Sequence, residues 1–321
     1  MAVYTEVSDA DLAAFLDSYD LGCVRSLKGI AEGVENSNYL LHTEKGSFIL
    51  TLYEKRVEEE NLPFFLGLMD HLCARGINCP RPVRARSGAA LGKLSGRPAA
   101  IVTFLEGICH NRPTVSDCSR LGGALARLHQ AAADFKGSRD NSLSLAAWPR
   151  LFAPVACCAD DVEPGLAAAV AAELGFLEAN WPRNLPRGII HADLFPDNVL
   201  FLGEEAPGLI DFYFACADDL AYDLAICLNA WCFEADGAFN VRKAAALFEA
   251  YQRVRPLTPL EIAAIPVLSR GAALRFALTR LIDWLHVPAG ALVHPKNPIE
   301  YMQKLRFHQK ITDVRELGLA Q

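Results

Sequence analysis

No Cys-x-x-Cys pair occurs anywhere in this chain. Its ten cysteines are scattered through apolar segments, with only Cys157 and Cys158 adjacent. Zinc-ligand spacing is therefore excluded, and without a secretory signal disulfide staples are not expected. The thiols read as reduced and mostly buried, in a cytoplasmic protein. A signal peptide is missing too: the first twenty residues carry Asp9, Asp11, Asp17 and Asp20 and no basic n-region. No apolar run reads as both long enough and charge-free enough to span a bilayer, so no membrane partner is expected. The nearest, Leu166 to Trp181, is interrupted by Glu173 and Glu178. Basic blocks are also wanting, and the net charge is −7, which argues against nucleic acid as a partner. There are no internal repeats and no low-complexity tails. What is left is a globular chain of 321 residues, 52% hydrophobic and 21% charged, with enough length for one large domain or two lobes.

The first hundred residues alternate strand and turn signals around one helix. Asn38 to His42 and Ser47 to Tyr53 flank the turn Thr43-Glu-Lys-Gly46, a hairpin pattern. Leu62, Phe65, Leu66, Met69, Leu72 and Cys73 then recur at helical spacing up to Gly76. Pro80, Pro82, Gly88, Gly92 and Gly96 punctuate a loop or ribbon. Pro98 to Leu105 reads as a buried strand. Beyond it helices dominate: residues 116–135, 166–181, 219–233, 241–254 and 258–286, the last opening on the capping box Thr258-Pro-Leu-Glu261. The only strands expected in this half are 199–202 and 209–211. An α+β chain follows, with a β-rich lobe at residues 1–106 and a helical lobe at 107–321.

The chemistry is concentrated in His191-Ala-Asp193-Leu-Phe-Pro-Asp197-Asn198, with Asp211-Phe212 thirteen residues after Asn198. The segment Gly203 to Gly208 is the turn between strands 199–202 and 209–211. Pairing Leu202 with Leu209 puts Asn198 within about two rungs of Asp211, on the order of 7 Å along the strand. An amide oxygen and a carboxylate at that separation suit a hard cation. Asp193, on the loop before the first strand, suits a base or positioner for a hydroxyl. Asp and Asn in this order are the layout with which kinase-type enzymes hold a hydroxyl and magnesium around ATP. Asp197, beside Pro196, reads equally well as turn chemistry, and His191 as a brace for the loop.

His-x-Asp-x4-Asn followed by Asp-Phe resembles the aminoglycoside phosphotransferase and choline kinase group, whose fold is protein-kinase-like with two lobes. Within that group nearly the whole chain is similar to the bacterial homoserine kinases. The similarity is carried by Gly33-Val-Glu-Asn-Ser-Asn-Tyr39, Phe48-Ile-Leu-Thr-Leu-Tyr-Glu-Lys55, the octad His191 to Asn198, and Leu274-Arg-Phe-Ala-Leu-Thr-Arg-Leu-Ile-Asp-Trp284. The resemblance implies ATP and Mg2+ as cofactors, L-homoserine as the small-molecule substrate and a place in threonine biosynthesis. It implies Asp193 as the catalytic aspartate, Asn198 and Asp211 as metal ligands, and Asp223 as a structural support of the loop together with His191. His129 is expected to pack under the same loop. Gly29 and Gly33 would bound the turn over the phosphates, which is not a Walker A loop, because no Gly-Lys-Ser/Thr follows. Phe104 and Leu105 would offer backbone groups to adenine.

One position departs from the pattern. Kinases place a Lys or Arg on the third strand, paired to a helix Glu. Here that position is Thr51, and nothing basic follows on the strand until Lys55. Lys28 is an alternative cation, and Glu59 and Glu60 read as solvated charges rather than partners. For the substrate, a zwitterion wants a guanidinium and a carboxylate. Arg275, Arg280 and Asp283 share one side of the last long helix, and an ordinary salt bridge explains that spacing equally well. Asn229 and Trp231 are weaker candidates for pocket walls. Two other readings stay open: a kinase of another alcohol such as an aminoglycoside or choline, and a nucleotide-binding pseudokinase. A protein kinase is disfavoured, because no Ala-Pro-Glu element follows Asp211-Phe212. The oligomeric state is left open.

Overall fold

Alternation with a period of two builds the first sheet. The computed structural model describes residues 5–30, 36–54, 58–286 and 295–319. Its first elements are α1 (Asp9–Leu16), β1 (Val24–Gly29), β2 (Ser37–Thr43), β3 (Gly46–Leu52), α2 (Leu62–Ala74), β4 (Gly92–Leu94) and β5 (Arg97–Thr103). The rest are α3 (Val115–Ala131), α4 (Trp148–Phe152), α5 (Leu166–Asn180), β6 (Arg187–Ile190), β7 (Val199–Leu200), β8 (Gly208–Leu209), β9 (Cys216–Asp219), α6 (Leu220–Trp231), α7 (Val241–Val254), α8 (Pro259–Leu285) and α9 (Pro298–His308). The chain divides into two units: Met1–Gly107 with Phe135–Gly137 and Gly208–Tyr213, and Ile108–Asp134 with Ser138–Pro207 and Phe214–Gln321.

The first unit holds a five-stranded sheet of order β1-β2-β3-β5-β4, all of its pairings antiparallel. In β2 every second residue is buried, and Thr43 pairs with Gly46 across a two-residue turn. One face carries Tyr39, Leu41, Phe48, Leu50 and Leu52, packed with Leu12, Phe15 and Leu16 of α1. The alternation sends Thr51 to the opposite face, where it is also buried. α2 begins at Leu62 and buries Leu62, Phe65, Leu66, Met69 and Leu72 of the residues its spacing singled out, with Leu68 as well, while Cys73 is half-buried.

The second unit is helical. Gly122 of α3 lies so close to α7 that a Cβ would sit 2.1 Å from the Leu247 carbonyl oxygen, which only glycine permits. α3 starts at Val115 on a capping box of Thr114 and Asp117, and α8 on that of Thr258 and Glu261. Sequence spacing missed α1, α4 and α9. It also missed the antiparallel pair β6–β9, whose strands have four residues each, too few to show a period. The strands expected at 199–202 and 209–211 are shorter: β7 ends at Leu200 and β8 at Leu209. A further correction concerns α8. At 27 residues it is long and apolar enough to cross a membrane by length and composition. However, 67% of its most apolar stretch is buried inside the protein, as in a core helix.

Candidate active site

β6 delivers the chain into a loop whose backbone is unusual at one residue: Ala192 has φ +64°, the left-handed region that side chains disfavour. Buried partners hold it there. Asp223, in the first turn of α6 and fully buried, accepts from the His191 amide at 2.8 Å and from the Ala192 amide at 2.9 Å. His129 of α3 meets the same carboxylate through Nε2 at 3.0 Å and meets the Tyr251 hydroxyl through Nδ1 at 2.8 Å. Burial would raise the Asp223 pKa. The hydrogen bond and charge of His129, with the charge and amide of His191, outweigh it and hold the carboxyl below its ordinary value. On the other side of the turn, the Arg275 guanidinium donates to the Ala192 carbonyl. Further along, the Trp231 indole donates to the Leu194 carbonyl at 2.8 Å, and Phe195 packs edge-on against Phe276.

This scaffold presents Asp193 and Asn198. The Asn198 side-chain amide donates to the Asp193 carbonyl at 2.8 Å and to Asp193 Oδ2 at 3.2 Å. With Nδ2 so committed, Oδ1 of Asn198 faces the other way as an acceptor. A neutral oxygen donor in that orientation fits a hard cation such as magnesium. Among the described residues no group of three or more His, Cys, Asp or Glu is clustered as a metal cage. Asp197 is exposed and pairs with Lys296 at 3.4 Å, a surface contact on the turn.

Asp211 belongs to the first unit. It lies past the end of β8, exposed, with φ +63°. The expected rung-by-rung strand through Asp211 is therefore corrected: the left-handed residue cannot continue a ladder. Phe212 is buried, and the Tyr213 hydroxyl meets that of Tyr53 at 3.0 Å. Thr51 donates its hydroxyl to Asn38 Oδ1 at 2.8 Å. Burial is the first cause that raises the pKa of both tyrosines, Tyr213 to about 12, and Asp211 adds to it. Lys28, Glu59 and Glu60 are exposed. Gly29 ends β1, whereas Gly33 and Lys55 lie outside the described residues. Phe104 and Leu105 follow the end of β5, with Phe104 41% exposed.

The charges expected to meet substrate are placed differently from one another. Arg275 is 1% exposed and spends its guanidinium on the loop, stacked over Phe276. Its burial and its bond to the Ala192 carbonyl support a role in holding the loop. Arg280 pairs with Glu300 of α9 at 2.6 Å, and Lys304 meets the same carboxylate at 2.8 Å. Asp283 is partly buried on the last turns of α8. Asn229 donates to the Ala225 and Ser269 carbonyls, so it and Trp231 serve the core rather than a pocket wall. The pairing of Tyr53 with Tyr213 carried no signal in the sequence, since no motif joins the two positions.

Comparison with known proteins gives the family of the chain. Residues 26–257 match the model of the phosphotransferase enzyme family. A homoserine kinase of Methylocella silvestris is 73% identical over 319 residues, 99% of each chain. One of Xanthobacter autotrophicus is 62% identical over 320 residues, 100% of each chain. Among solved structures, a spectinomycin phosphotransferase in complex with ADP and spectinomycin covers 98% of this chain and 99% of its own, at 14% identity and a TM-score of 0.69. A choline kinase of Cryptosporidium parvum covers 89% of this chain and 88% of its own, at 13% identity and a TM-score of 0.65. These structures share the protein-kinase-like fold, with its β-sheet lobe and helical lobe. The chain belongs to the phosphotransferase enzyme family, and within it to the family of the homoserine kinases.

Proposed function

We propose that this protein transfers the γ-phosphoryl group of ATP to the side-chain hydroxyl of L-homoserine in one direct, in-line step. The observation that carries the reading is full-length identity of 62–73% to homoserine kinases. The loop geometry supplies the chemistry. Asp193, fixed by the Asn198 amide, orients the substrate hydroxyl and accepts its proton late. The new oxygen–phosphorus bond forms as the bond to the β-phosphate oxygen breaks, and ADP leaves. Asn198 Oδ1 and the Asp211 carboxylate would hold magnesium, which supplies neutralisation of phosphate charge when bound. His191 and Asp223 hold the loop. Gly29, at the end of β1, approaches the phosphates, and the backbone at Phe104 and Leu105 meets adenine.

For the zwitterion, we assign Arg280 and Asp283 as ligands. Arg280 and Lys304 set two cations against the one carboxylate of Glu300, an excess of positive charge that a substrate carboxylate offsets. The ten free thiols support a reducing, cytoplasmic setting. The test is ADP release from magnesium-ATP. L-homoserine drives it, whereas choline, an aminoglycoside and L-serine at equal concentration do not. Turnover with choline or an aminoglycoside in place of homoserine overturns the substrate assignment. Arg280→Ala raises the KM for homoserine and leaves that for ATP unchanged.

A further inference from the structure

The third-strand position that kinases give to a cation is occupied here by a neutral, hydrogen-bonded residue. Thr51 is 2% exposed and pairs with Asn38 across the β2–β3 ladder, its hydroxyl on the Asn38 amide oxygen. Beyond it on the same strand end, Tyr53 is 1% exposed and meets Tyr213, hydroxyl to hydroxyl, at 3.0 Å. The two rings stand edge-on, with centroids 5.3 Å apart at 78°. Tyr213 also stands edge-on to Phe65 of α2, at 5.7 Å and 87°. One ring thus touches both the sheet and the helix, the two elements that the usual Lys–Glu pair would join. It does so two residues after Asp211, whose φ of +63° needs its flanks held to persist. Phe212, between them, is buried.

We infer that Tyr213, clamped by Tyr53 and Phe65, is a positioning residue for Asp211, and that this neutral clamp replaces the charged strand–helix pair of other kinases. The inference rests on the reading of Asp211 as a magnesium ligand. A hydroxyl pair between rings is short-ranged and directional, so it fixes the segment without adding charge beside the phosphates. Its loss shifts the Asp211 carboxylate while the fold stays intact, because Tyr→Phe keeps the ring and its packing.

The experiment measures binding of a non-hydrolysable ATP analogue by calorimetry, with and without magnesium, in the whole protein. In the wild type, magnesium tightens binding. Tyr213→Phe reduces that magnesium-dependent gain about 10-fold, as loss of an outer-shell partner does, with magnesium-free affinity and melting temperature near wild type. Tyr53→Phe reduces it similarly, and the double variant loses no more than either single. An unchanged magnesium gain in Tyr213→Phe, or an equal fall in magnesium-free affinity, overturns the inference. Asp211→Asn separates the two levels. If it keeps the full magnesium gain, the metal-ligand reading fails. If it loses the gain while Tyr213→Phe keeps it, only the positioning role fails.

Discussion

The two segments that carry the proposed site are held by different physics. The loop from His191 to Asn198 is held by charge: a buried carboxylate, itself bonded to an imidazole, and a guanidinium converge on its backbone. The segment at Asp211 is flanked by neutral contacts, the Tyr53–Tyr213 hydroxyl pair and rings edge-on. Both contain a non-glycine residue in the left-handed region, Ala192 and Asp211, so both need restraint. Buried charge restrains strongly and fails badly when one partner is removed, because the other is left unpaired in a poor solvent. A neutral clamp restrains less and fails gently. On the proposed reading, the loop carries the aspartate that must sit within hydrogen-bond reach of a proton, and the other segment carries a proposed ligand to an ion with adjustable waters.

The contrast is broken most severely at Asp223. Asp223→Ala leaves the His191 and Ala192 amides and the His129 ring without their acceptor, and stability falls by about 3–5 kcal/mol, measured by denaturant unfolding, with turnover lost as well. Stability within 1 kcal/mol of wild type, by the same roughly 1–3 kcal/mol scale for a single unsatisfied buried group, would remove the charged side of the comparison. Next in size is Arg275→Met, which keeps the packing on Phe276 and frees the Ala192 carbonyl. It costs about 1.5–3 kcal/mol and lowers kcat while leaving the homoserine KM unchanged. A selective rise in that KM would return Arg275 to the substrate.

Acid provides a third test, of the helical unit that carries the loop. His308 is buried, with Nε2 on the Asn229 oxygen at 3.1 Å and Nδ1 unpartnered. Burial, then the charges of Lys304 and Arg270, push its pKa down to about 3. The unfolded chain takes up a proton near the ordinary value of about 6.5, so the neutral ring's contribution is fully present above that pH. It is lost as pH falls from there to about 3, a change of a few kcal/mol at about 1.4 per pKa unit. Thermal unfolding between pH 7 and 5 should show Tm falling in the wild type and a flatter dependence in His308→Gln. Equal slopes would refute the assignment. The smallest effect belongs to the neutral side: Tyr53→Phe costs about 1 kcal/mol, and a loss as large as that of Asp223→Ala would erase the distinction between the two segments.

Much of this was legible because the signals are local. The octad at 191–198, the hairpin around Gly46 and the capping box at Thr258 each sit within a few residues and obey rules of spacing. Asp223 was readable as support only through resemblance, since nothing in its own helix says that its carboxylate meets amides thirty residues away. The same holds for Arg275: helical spacing gives a face, not what covers it. β6 and β9 are too short to carry a period. The tyrosine clamp joins positions 160 apart, and two ordinary core-like tyrosines give no sign of each other. Asp211 is the clearest case, where the order of residues pointed to the chemistry but its left-handed backbone was invisible.

The account stands most directly on Asp193. In Asp193→Ala, single-turnover phosphorylation of L-homoserine should vanish while the ATP analogue binds with wild-type affinity in magnesium. Phosphorylation at a rate near wild type would contradict the role given to Asp193 and the mechanism built on it.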